Sequence, residues 1–185
     1  GVDYFDFYLM HAQHAGNYPK YQECKAYETA LELKKEGLIK HLGLSFHDSA
    51  EFLDKILTEH PEVEVVQIQF NYLDYEDPVN QSRLCYEVCR KHNKPIIVME
   101  PVKGGTLAKL PSEAEPYVSE NFSSSPASMA IRFAEGLAGV KYVLSGMNSA
   151  EQLFDNTEER SSLSEKEISV LFKVAEELRT CNVAD

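Results

Sequence analysis

Residues Leu42–Phe70 read LGLSFHDSAEFLDKILTEHPEVEVVQIQF, a complete strand–helix–strand pattern. Its opening, Leu42–Phe46, alternates Leu42, Leu44 and Phe46 with Gly43 and Ser45, the period of two expected of a strand. Asp48, followed three residues later by Glu51, makes a capping-box signature that opens a helix, and this helix ends before Pro61. Val63–Phe70 is the next strand. Val66, Ile68 and Phe70 share one face, while Val65, Gln67 and Gln69 point the other way, with Asn71 continuing that set. Strands joined by a helical crossover lie parallel, and the crossover is right-handed.

The same rhythm extends in both directions. Upstream, Tyr4–Met10 (YFDFYLM) reads as a buried strand, and Tyr21–Glu36 has helical spacing that Gly37 stops. Downstream come a helix at Ser82–His92 and a strand at Pro95–Met99. Glu100–Ser125 is rich in Gly, Pro and Ser and reads mostly as loop; a loop of this length is usually functional. Ser125-Pro126 starts a helix through Glu135, with Pro in the first turn where its missing N–H costs nothing. Tyr142–Ser145 is a fifth strand and Ser149–Asn156 a short helix. Ser164 with Glu167 caps a final helix through Leu178. Five βα units in one run imply an α/β fold with a parallel sheet in one domain of 185 residues, either an open doubly wound sheet or part of a barrel.

Composition narrows the class. Hydrophobic residues make up 43% and charged residues 26%, the balance of a soluble globular chain. No apolar run approaches the ~18 residues of a membrane span, so no membrane partner is expected. The net charge of −12, without a basic stretch, argues against nucleic acid. Cys24, Cys85, Cys89 and Cys181 form no CxxC pair and read as reduced thiols of a cytoplasmic protein, with no metal site. Cys85 and Cys89 would share one helix face as small core residues. Gly1-Val2-Asp3-Tyr4 has no features of a signal peptide and reads as the middle of a gene product.

Polar residues gather at the C-terminal ends of the strands: His11 on the face of Phe7 and Leu9, then Ser45, His47, Gln67 and Gln69. In a parallel α/β barrel that rim is where sites are built. Each residue also has a plain structural reading. A lone His after an apolar strand is more often a hydrogen-bonded structural residue, and Ser45 and Gln67 could satisfy one another. His14, His41, His47, His60 and His92 show no metal-ligand spacing and read as surface or rim residues. GxGxxG, GxxxxGK[ST] and GxSxG are absent, and Gly104-Gly105 permits close backbone approach or makes a turn.

Five motifs in order resemble the aldo/keto reductase family. Asp3–His11 (DYFDFYLMH) is similar to the family's fourth barrel strand, which ends in the catalytic histidine. Ala30–Ser45 (ALELKKEGLIKHLGLS) is similar to the following helix, turn and strand five, and Gln67 in VVQIQFNYLD matches the glutamine of strand six. Met99–Gly105 (MEPVKGG) resembles the strand-seven segment that closes over the cofactor. Val143–Asn156 (VLSGMNSAEQLFDN) resembles the segment that holds the cofactor's phosphate and adenosine end. The resemblance implies a (β/α)8 TIM barrel, here strands four to eight, and reversible hydride transfer between NADP(H) or NAD(H) and a small carbonyl or alcohol substrate.

Carried over by motif, His11 is the catalytic histidine, and Ser45 and Gln67 bind the nicotinamide carboxamide. Met99, Glu100, Pro101, Val102, Gly104 and Gly105 close over the cofactor. Gly146, Met147 and Asn148 contact the adenosine phosphate, with Gln152 and Asn156 near the adenine. The sequence departs from the pattern in places. Phe46 stands where the family often has Asn, and Met99 offers a less aromatic surface to the nicotinamide. Gly146 and Gln152 are neutral where NADP-preferring members place basic side chains, which points to dual or NAD preference.

The resemblance also implies that the tetrad's Asp, Tyr and Lys lie upstream of Gly1, so the isolated chain is expected to be inactive. Tyrosines at the rim, such as Tyr72, are no substitute. A five-stranded part of a barrel exposes pairing edges, through which a homodimer can form. Some relatives carry a cysteine cluster after the barrel. An iron–sulfur cluster is expected only in an extension beyond Asp185, since Cys181 alone cannot hold one. Two other readings stand beside the reductase: a cofactor-binding sensor or regulatory subunit without turnover, and a non-catalytic half-barrel assembly module.

Overall fold

The computed structural model describes residues 1–158 and 161–183; the side chains of residues 181–183 are outside that description. The Cys181 thiol and the expected extension beyond Asp185 therefore lie outside the described residues. Five strands form one sheet in the order β1-β2-β3-β4-β5: β1 (Phe5–Gln13), β2 (Ile39–Phe46), β3 (Val65–Gln69), β4 (Ile96–Met99) and β5 (Val140–Val143). Sequence order equals spatial order, as in a (β/α) barrel and unlike an open doubly wound sheet, whose order reverses at a switch point. Internal packing divides the chain into two units. The first is Gly1–Gln69 with Pro78–Ile97, and the second is Phe70–Asp77 with Val98–Asp185.

In the first unit, β1 and β2 run parallel with Met10 opposite Leu44, and β2 and β3 with Ser45 opposite Gln67. Leu42, Leu44, Val66 and Ile68 are fully buried, with Leu53 and Ile56 of α3 (Ala50–Glu59). Cys85 and Cys89 of α4 (Ser82–Lys91) are buried core thiols, as their spacing predicts. Burial pushes Cys85 up to about 12, far from the reactive range. In the second unit, Phe133 of α6 (Pro126–Glu135) is ringed by Phe70, Tyr72, Tyr75 and Phe172, the last from α8 (Glu165–Val183).

Local chemistry moved several boundaries. The single helix expected at Tyr21–Glu36 is two, α1 (Tyr18–Glu23) and α2 (Ala26–Lys35), because Lys25 adopts a left-handed φ of 53° between them. The cap of α3 is Ser49, whose Oγ accepts the Phe52 N–H; Asp48 instead accepts the N–H groups of Ser49 and Ala15. The Glu100–Ser125 loop contains a 3-10 turn at Lys103–Gly105 and a short helix, α5 (Glu115–Ser119). The fifth strand lies two residues earlier than expected, at Val140–Val143, so Leu144 and Ser145 belong to the loop that leads into α7 (Ala150–Thr157). Other expectations hold. Gly37 has φ +81°, Ser125 caps α6 with Pro126 in its first turn, and Ser164 and Glu167 exchange both capping-box bonds.

The two outer strands carry several exposed rings. Phe5, Phe7 and Tyr8 of β1 and Tyr142 of β5 are all well exposed. Among the described residues, no helix is long and apolar enough to cross a membrane.

Candidate functional site

In the first unit the C-terminal ends of β1, β2 and β3 gather His11, Ser45 and Gln67. The strand-to-strand register slips between Met10 and Gln13, and Ala12 takes a left-handed φ of 48°. This bulge re-aims the chain just after His11, a common device beside functional sites. The Ala12 N–H donates to the Ser45 hydroxyl at 2.7 Å. Ser45 is thus buried and already engaged, while Gln67 is half-buried opposite it. His11 is exposed, and its backbone carbonyl accepts a hydrogen bond from Tyr21 at 2.8 Å. Partial burial, then the charges of His11 and His14, hold His47 below the usual histidine range. The rim is therefore a cluster of imidazoles beside a buried hydroxyl.

Two of the histidines read as surface or rim residues are half-buried and engaged. The His60 ring stacks on Tyr27 at 3.6 Å and bonds the Tyr18 hydroxyl, and His92 pairs with Asp54. Phe46, which stands in place of the family's Asn, is buried and packs against Phe52. Tyr72 is fully buried and burial raises its pKa, so it is no rim acid.

The second unit holds a cavity of about 580 Å³. Glu100, Pro101, Val102, Gly104 and Gly105 line it from the segment after β4; Gly146, Met147, Asn148, Gln152 and Asn156 line it from the β5–α7 segment. Two motifs about forty residues apart in sequence thus converge on one space. Cβ atoms built on Gly104, Gly105 and Gly146 would meet nothing within 4 Å, so these glycines leave the walls low. Met99 sits half-buried at the end of β4, its carbonyl accepting the Phe70 N–H, and does not line the cavity.

Donors on both walls are engaged internally. Gly104 N–H donates to the Glu100 carboxylate at 2.7 Å, and Asn148 N–H donates to Gln152 Oε1 at 2.8 Å. Ser149 caps α7 by accepting the Gln152 N–H, and Asn156 donates to Ser145 Oγ at 3.1 Å. Among the described residues, the lining includes Glu100 and Asp155 and no Lys or Arg. Asp155, which also accepts a hydrogen bond from the Ser125 hydroxyl, has no signal in the sequence beyond its place one residue before Asn156. Asn71, Asp74 and Lys103 were missed as well, although the NYLD spacing signals an Asn-centred turn. Among the described residues, no group of three or more His, Cys, Asp and Glu side chains is placed to hold a metal.

The aldo/keto reductase family profile matches residues 1–176. The chain belongs to the aldo/keto reductase family. Its fold resembles an aldo-keto reductase of Bacillus halodurans in its holo form, at TM-score 0.72 and 21% identity over 94% of this chain and 62% of that one. A thermostable aldo-keto reductase in complex with the inhibitor epalrestat matches at TM-score 0.72 and 22% identity, over 94% and 61% of the two chains. An aldo-keto reductase of Klebsiella pneumoniae in complex with NADPH matches at 0.68 and 18%, over 94% and 60%. The chain thus spans about three-fifths of the length of these structures. No curated protein matches it. The parallel sheet with its crossover helices is accordingly that of the family's (β/α) barrel.

Proposed function

We propose that this chain is the cofactor-cradling part of a nicotinamide-dependent oxidoreductase that interconverts small carbonyl and alcohol substrates. The observation that carries the reading is the 580 Å³ cavity, which assembles residues of both family cofactor motifs within one unit. The fit is physical. Its volume lies in the range of small-molecule and cofactor sites, and its glycine walls let a ligand approach the backbone. Gly104, Gly105 and the Gly146–Asn148 loop would hold the diphosphate and adenosine phosphate, and Gln152 and Asn156 the adenine. Binding would draw the Gly104 and Asn148 N–H groups away from Glu100 and Gln152 toward phosphate oxygens.

The cavity's charge favours NAD(H) over NADP(H). A 2′-phosphate adds close to two negative charges and would meet Glu100 and Asp155, with no Lys or Arg among the described lining residues. Neutral Gly146 and Gln152 offer that phosphate no charge-assisted bond.

In the first unit, His11 would orient the substrate carbonyl by hydrogen bonding to its oxygen. Ser45, its lone pair already given to Ala12, would use its remaining O–H toward a carboxamide, with Gln67 beside it. The nicotinamide, when bound, supplies or accepts the hydride. Within these 185 residues no Asp, Tyr and Lys set matches the rest of the family's tetrad, and Tyr72, one of the tyrosines read near the rim, is buried. The isolated chain is therefore expected to bind cofactor without reducing carbonyls, in the reducing cytoplasm that suits its free thiols. The exposed rings of β1 and β5 support self-association through the outer strands.

Titration of the chain with NADH and NADPH, followed by nucleotide fluorescence, tests the reading. Saturable binding with NADH the tighter ligand is expected. Absence of binding to either nucleotide would remove the cofactor role, and rapid carbonyl reduction by the chain alone would remove the division of labour.

A further inference from the structure

The cavity wall between Glu100 and Gly105 has an unusual backbone. Glu100 has φ +57°, Lys103 +47°, Gly104 +59° and Gly105 +100°. Left-handed geometry is disfavoured for Glu and Lys, so the surroundings must hold it. The holding groups come from the Phe70–Asp77 turn. Asn71 Nδ2 donates to the Glu100 carbonyl at 3.0 Å and to the Asp74 carboxylate at 2.9 Å, while its Oδ1 accepts the N–H groups of Leu73 and Asp74. The Lys103 ammonium pairs with the same Asp74 carboxylate. Asn71 is fully buried and Asp74 is 2% exposed. Arg179 of α8 donates to the Leu73 carbonyl at 2.5 Å and anchors the turn from behind. None of Asn71, Asp74 and Lys103 lines the cavity.

We propose that Asn71, Asp74 and Lys103 form a latch of positioning residues that sets the Glu100–Gly105 wall in the shape a nicotinamide dinucleotide requires. The inference rests on the cofactor reading of the cavity. The two bonds act at different points: Asn71 fixes the Glu100 carbonyl, and the ion pair fixes the loop three residues on. Between them the peptide units have little freedom, and the Gly104 N–H is kept aimed at the Glu100 carboxylate that a phosphate would replace. A buried carboxylate is costly unless paired, so the pair also ties loop shape to the turn's own stability.

Three readouts on the full chain separate positioning from simple stability: NADH affinity, hydrogen exchange at the Gly104 and Gly105 amides, and thermal melting. Asp74→Asn keeps the side chain's shape and removes its charge; amide exchange at Gly104 and Gly105 should speed up roughly tenfold and NADH affinity fall by a similar factor. Lys103→Met should do the same and also lower the melting temperature, because it takes a counter-charge from a buried carboxylate. The double variant Asp74→Asn with Lys103→Met should recover the melting temperature while affinity stays low. Unchanged exchange and affinity in Asp74→Asn would overturn the latch, as would affinity in the double variant that recovers with its stability. Should the unmodified chain bind no NADH, the cofactor reading fails by itself. Exchange rates then still decide the latch as a holder of the loop: faster exchange in Asp74→Asn sustains it, and unchanged exchange ends it.

Discussion

Glycine does opposite jobs in two regions of this molecule. In the strand region of the first unit, a Cβ on Gly43 would lie 2.5 Å from Leu9 and from Val65 Cγ1, and 2.6 Å from the Val65 carbonyl oxygen. On the cavity wall of the second unit, Cβ atoms on Gly105 and Gly146 would meet nothing within 4 Å. Gly43 exists because the sheet leaves no room. The wall glycines exist beside open space, where backbone curvature or a ligand needs them. One region is closed by packing, and the other opens to solvent at the surface.

The contrast predicts a graded series of substitutions. Gly43→Ala should be the most damaging, costing about 3 kcal/mol or more, since a backbone oxygen is among the atoms that must move; chemical denaturation measures it, and a loss below that of Gly105→Ala would erase the contrast. Gly105→Ala meets no atom but carries the strain of φ +100°, worth about 1–2 kcal/mol. Ser45→Ala removes the acceptor of the Ala12 N–H and should cost about 1 kcal/mol, with Ala12→Gly recovering part of that by easing the left-handed bulge. A Ser45→Ala chain as stable as the original would mean that the bulge holds itself.

Asp54 should matter less, and only above acidic pH. Hydrogen bonds from Lys91, then His92, hold its pKa below the usual carboxylate value. A depressed carboxylate stabilises the fold above its unfolded pKa, and that contribution fades as pH falls through the folded value. Asp54→Asn should therefore lower the melting temperature slightly at neutral pH and not at all in strong acid. Gly146→Ala should leave the melting temperature where it is, because its Cβ meets nothing, yet weaken NADH binding several-fold by intruding on the cavity. Equal NADH affinity in Gly146→Ala would move the ligand away from that wall.

Much of this was legible in the sequence where chemistry is local. Alternation in Leu42–Phe46 and Val65–Gln69, the left-handed stop at Gly37 and the Ser164–Glu167 box depend on neighbours within four residues. The cavity residues were legible through two motifs that resemble a family. What stayed hidden depends on distant partners. Lys25 breaks a helix whose apolar spacing runs straight through it, and the Ser45 hydroxyl serves a bulge 33 residues upstream. Asn71 read only as the continuation of a strand face and Asp74 gave no signal, because their partners, Glu100 and Lys103, lie 29 residues away. His60 and His92 escaped for the same reason: an aromatic stack and an ion pair formed across elements leave no periodic trace.

The open wall is the centre of the account, and hydrogen exchange of the unmodified chain with and without saturating NADH tests it most directly. Slower exchange is expected at the Gly104–Gly105 and Gly146–Asn148 amides, with the packed strand around Gly43 unchanged. Saturating NADH that leaves both loops exchanging at their free rates would contradict it.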